Sequence, residues 1–101
     1  MLRVALSSMM LAAACCASAQ PPAQLGLCAA CHGASGIAVA KGVPDLAGQD
    51  ADYLAAALAQ YRAGDRSNSA MHAVAGALSK GDIEALARWY SAQPACPGSA
   101  R

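Results

Sequence analysis

The stretch Cys28-Ala29-Ala30-Cys31-His32 decides the reading of this chain. Its two thiols stand about one helical turn apart, and an imidazole follows the second directly. Thiols so spaced reach the two vinyl groups on one edge of a porphyrin, while the ring of His32 turns under the iron. The pattern therefore predicts covalent attachment of one haem c through Cys28 and Cys31, with His32 as an axial ligand. Two other chemistries use a paired Cys-x-x-Cys. Zinc would need further ligands from His72 and Cys96 at odd spacing, and a redox dithiol belongs with a βαβ pattern that is missing here.

Upstream of the motif, Met1 and Arg3 form a short positive start. Residues 4–16 are apolar except for Ser7 and Ser8, and Ala17-Ser18-Ala19 precedes Gln20. This is the pattern of a secretory signal peptide over residues 1–19, leaving one domain over residues 20–101 in the periplasm. Retention as an anchor and lipidation at Cys15 are the alternatives; after cleavage no stable membrane insertion is expected. Cys15 and Cys16 then fall in the leader as small hydrophobes and imply no disulfide. Without Arg3 the basic residues balance the acidic ones, so nothing attracts nucleic acid.

The sequence has no Phe and one Trp in 101 residues, too little aromatic mass for a domain this small to build an ample core. A covalently held porphyrin supplies what is missing, as metals or disulfides do in other small domains. The fold class reads as all-α, with three main helices and two long loops wrapped around the haem. The first helix is expected from Pro22 to the motif, with Gly33 as its stop. The second starts at a cap, Asp50 or Asp52, carries Tyr53, Leu54, Ala57, Leu58 and Tyr61 on one stripe, and ends at Ala63-Gly64. The third opens on Ser79-Lys80-Gly81-Asp82, a variant capping box, and presents Ile83, Leu86, Ala87 and Tyr90 together, with Trp89 beside them, until Pro94. Residues 33–49 and 64–78 are expected as loops, long enough to need a ligand to wrap.

Iron bound by His32 needs a ligand on its other face, and Met71 and His72 are the candidates. Met71 is the single Met beyond residue 10 and is expected on the second polar loop, with no helical stripe to join, which favours ligation. Ligation by His72 and a five-coordinate iron are the rivals.

Together with the motif, Pro44-Asp45-Leu46-Ala47-Gly48-Gln49, Tyr53-Leu54, Tyr61-Arg62-Ala63-Gly64, Arg66, Met71, Leu78-Ser79, Asp82-Ile83 and Leu86-Ala87-Arg88-Trp89-Tyr90 resemble the small bacterial class I cytochromes c of the c553 and c4 type. The resemblance covers nearly all of residues 20–101. It implies the cytochrome c fold, a His32/Met71-ligated haem and periplasmic electron transfer. It also implies that the Pro44 carbonyl accepts a hydrogen bond from the His32 imidazole, and that Trp89 or Tyr90 packs on the first helix near Gly26. The segment before Cys28 is shorter than the family pattern, and Cys96, between Pro94 and Pro97, lies outside it. Cys96 is either incidental or a link to a second subunit.

No nucleophile and base constellation, paired carboxylates or phosphate loop suggests catalysis. The expected function is transfer of single electrons between transiently docked redox proteins. The alternative is an electron-accepting subunit of a periplasmic dehydrogenase or oxidase complex.

Overall fold

The computed structural model describes Ala5 and residues 20–96. The expected signal peptide, Ala5 apart, therefore lies outside the described residues. The described residues form four helices and no strand: α1 (Leu25–His32), α2 (Ala51–Ala63), α3 (Ser69–Gly76) and α4 (Lys80–Ser91).

Helices α2 and α4 start and stop where their caps dictate. The Asp50 carboxylate accepts the Tyr53 N–H at 2.8 Å, satisfying one of the donors a helix start leaves open. Gly64, at φ 82°, closes α2 in the left-handed conformation and donates its N–H to the Gln60 and Tyr61 carbonyls. Ser79 and Asp82 exchange side-chain and backbone bonds in both directions at 3.0 Å, completing the capping box of α4.

Two expectations about the helices are corrected. Helix α1 begins at Leu25, not Pro22; the Pro22 carbonyl instead accepts the Leu25 N–H in the turn that leads in. The segment 64–78 is not a continuous loop, because α3 occupies its centre and Met71 lies on it. There are four described helices rather than three. Asn68, at φ −167°, caps α3 by accepting the Met71 N–H, which gives the short helix a defined start.

Buried Cys28, Leu54, Leu78, Ile83, Leu86, Ala87 and Tyr90 form the core, and α2 packs against both α3 and α4. The stripe of α4 is buried as expected, with Leu86 only 1 % exposed. The segment 33–49 is folded back on itself by specific bonds. The Cys31 carbonyl accepts the N–H groups of Val39 and Ala40, and the Gly36 carbonyl accepts those of Leu46 and Ala47. Gly36 sits at φ 80°, and a Cβ there would come within 2.6 Å of the Ala47 nitrogen and 2.9 Å of the Tyr90 ring, so only glycine fits.

The last helix holds α1 through its two aromatics. Cys28 and Tyr90 share one core cluster, against which Leu25 and Trp89 pack. The same aromatics grip the exit of α1: the Tyr90 hydroxyl donates to the Gly33 carbonyl at 2.9 Å and the Trp89 Nε1–H to the Ala34 carbonyl at 2.8 Å. With α1 only eight residues long, the carbonyls at and after its end are satisfied from α4 rather than by more helix.

Candidate haem-binding site

Helix α1 carries Cys28, Cys31 and His32 along one side, and all three line a cavity of about 350 Å³. Met71 reaches the same cavity from α3, and Leu54, Ala57 and Leu58 of α2 line it with Leu86, Ala87 and Tyr90 of α4. The stripe expected on α2 is therefore chiefly a cavity wall, which explains why only Leu54 of its members is fully buried while Tyr53 stays 52 % exposed. A wider, shallower depression between α2 and α4, lined by Ala55, Ala59 and Ile83 among others, carries no thiol, imidazole or thioether.

Several polar groups of the cavity have defined partners. His32 is 8 % exposed, and its Nδ1 lies 2.8 Å from the Pro44 carbonyl oxygen. A carbonyl only accepts, so Nδ1 carries the proton and Nε2 is left as the basic nitrogen of the ring. Pro44 is presented by the folded-back segment, which Asp45 helps to close by accepting the Ala38 N–H at 2.7 Å. Arg66 is the one cation among the cavity-lining residues, and its guanidinium lies over the Tyr61 ring, 4.7 Å from the centroid.

The thiols differ. Cys31 is exposed, whereas Cys28 is buried and burial pushes its thiol up from its ordinary value. The described residues form no strand, so the βαβ setting of a redox dithiol is absent among them. Among the described residues no three His, Cys, Asp or Glu side chains gather as a metal cluster, and His72 lies outside the cavity wall, so the zinc alternative has no support.

The donor set fits a haem. An apolar wall, one imidazole with a free Nε2, one thioether from a separate helix and two thiols beside the imidazole meet at a single cavity of ligand-binding size. The cap at Asn68 and the partner of His72 are additions from the structure. Asn68, three residues before Met71, had the spacing of a helix cap; the bond of His72 Nδ1 to the Tyr61 carbonyl, at 2.8 Å, had no signal in the sequence.

The family model described as cytochrome c matches residues 25–91. Cytochrome c-554(548) of Halomonas halodenitrificans is 42% identical over 73 residues, which are 69% of this chain and 88% of that protein. The thiosulfate dehydrogenase electron acceptor of Stutzerimonas stutzeri is 45% identical over 69 residues, 67% of this chain and 32% of the relative. Cytochrome c4 of Thiocapsa roseopersicina is 36% identical over 75 residues, 74% of this chain and 38% of the relative. The matched part thus spans about a third of the length of the last two relatives and most of the first.

Proposed function

The chain belongs to the cytochrome c family, and on that footing we propose that residues 20–101 form a periplasmic monohaem electron carrier exported by the leader 1–19. The family carries single electrons on covalently attached haem c, and the matched relatives are electron carriers or acceptors. Cys28 and Cys31 would hold the haem through thioethers, with His32 and Met71 as its axial ligands. When bound, the haem supplies a one-electron couple, whose potential a soft thioether ligand raises.

The protein residues have separate tasks. The Pro44 carbonyl fixes the His32 tautomer and ring orientation and raises its basicity. Leu54, Leu58, Leu86 and Ala87 exclude water from the wall, which disfavours the more highly charged oxidised state. Arg66 contributes the positive charge along that wall. The observation that carries the reading is the shared cavity of Cys28, Cys31, His32 and Met71.

Ala30, Cys31 and Ala34, close to the thiols in sequence, are exposed, and their small size would let a redox partner approach closely. Among the described residues no helix is long and apolar enough to cross a membrane. A second reading, an electron-accepting subunit held by a dehydrogenase, is favoured by the name of the Stutzerimonas relative. A covalent link to such a partner would run through Cys96, which is exposed.

The test is a pyridine haemochrome spectrum with intact mass on protein from the periplasm. One haem added to residues 20–101 is expected; colourless folded protein with the mass of the bare chain overturns the proposal. Gel filtration of native extract separates a small free carrier from a subunit running with a large partner, and non-reducing electrophoresis reads the Cys96 link.

A further inference from the structure

We infer that His72 is a positioning residue that holds Met71 at the cavity, by tying α3 to the last turn of α2. The inference rests on the reading of Met71 as an axial ligand. His72 is exposed and does not line the cavity, yet its Nδ1 lies 2.8 Å from the Tyr61 carbonyl oxygen, eleven residues back in the chain. The carbonyl accepts, so His72 donates. That oxygen also accepts the Gly64 N–H at 3.2 Å, which makes it a meeting point of the α2 end and α3.

Helix α3 needs such a tie. It has eight residues, and among them only Ala75 is buried. An isolated helix of that length is unstable in water, so this one depends on what joins it to α2, against which it packs. The Asn68 cap accepts the Met71 N–H at 2.9 Å and defines where the helix begins, but Asn68 adjoins α3 itself and does not join it to α2. The His72 bond does so, one residue from the thioether. Pulling Met71 off the iron by moving α3 means breaking this bond, so its free energy adds to the hold on the sulfur.

Imidazole titration of the oxidised holoprotein tests this, following loss of the weak sulfur-to-iron charge-transfer band. His72→Ala should bind imidazole about threefold to tenfold more tightly than the parent, the range of one neutral hydrogen bond. Alanine is the better helix former, so if local helix strength alone governed Met71, the shift would run the other way. His72→Asn, whose Nδ2–H₂ offers a donor at a matching position, should stay within about twofold of the parent on the same hydrogen-bond argument. Unchanged or weaker binding in His72→Ala overturns the inference, as does a His72→Asn protein as loose as the alanine variant. A parent with no sulfur band removes the Met71 reading and the inference with it, which is distinguishable from a parent that has the band and an alanine variant that behaves like it.

Discussion

His32 donates its Nδ1–H to the Pro44 carbonyl at 2.8 Å, joining the ring on α1 to a segment twelve residues further along. The proline ring fixes φ and so aims that carbonyl. Pro44→Ala keeps the acceptor but loosens its aim. A weaker bond makes the imidazole less electron-rich and favours the reduced state. The reduction potential should rise by about 20–40 mV, corresponding to part of one hydrogen bond. Potentiometric titration measures it, and a fall would contradict the role given to Pro44.

Met71→Ala should abolish the sulfur-to-iron band and open the oxidised iron to added ligands. Without added imidazole, His72→Ala should keep the band. Visible spectra of the two proteins decide between the neighbours, and the reverse pattern would make His72 the ligand.

Leu86 is 1 % exposed and belongs to both the core and the cavity wall. Leu86→Ala should lower stability by about 2–5 kcal/mol, the range for emptying a packed leucine site. Urea unfolding measures the loss, and a change below about 0.5 kcal/mol, typical of surface sites, would contradict its burial.

Tyr90 gives a pH dependence. Burial first, and the nearby Cys28 second, push its hydroxyl from 10.0 up to about 12. Once Cys28 is bonded as a thioether it carries no charge, and burial remains. The folded protein keeps the proton more tightly than the unfolded chain. The stabilisation is complete below the ordinary tyrosine value and is lost as pH rises from about 10 towards 12. Tyr90→Phe should remove this part of the alkaline decline while losing about 1 kcal/mol with the bond to the Gly33 carbonyl. Melting temperatures of both proteins across that range test it; parallel declines would contradict it.

What could be read in advance followed the side chains. The bounds of α2 and α4 came from Asp50, Gly64, Ser79 and Asp82, each of which acts locally on its own helix end. The grouping of the thiols and His32 at one cavity was legible because residues three and four apart share one side of a helix. Helix α3 was not, since its alanine-rich residues bury only Ala75 and so make no stripe; its one sign was Asn68. The approach of Pro44 depends on the Cys31 and Gly36 carbonyls, and the tie of His72 on the Tyr61 carbonyl. Every residue has such an acceptor, so backbone partners leave no mark in the order of letters.

The grips of Trp89 and Tyr90 on the Ala34 and Gly33 carbonyls span 55 and 57 residues. A growing chain lacks both grips until its last helix has been made. Closure of the thiol segment therefore waits for the packing of the last helix, so the two ends of the described fold are secured together or not at all.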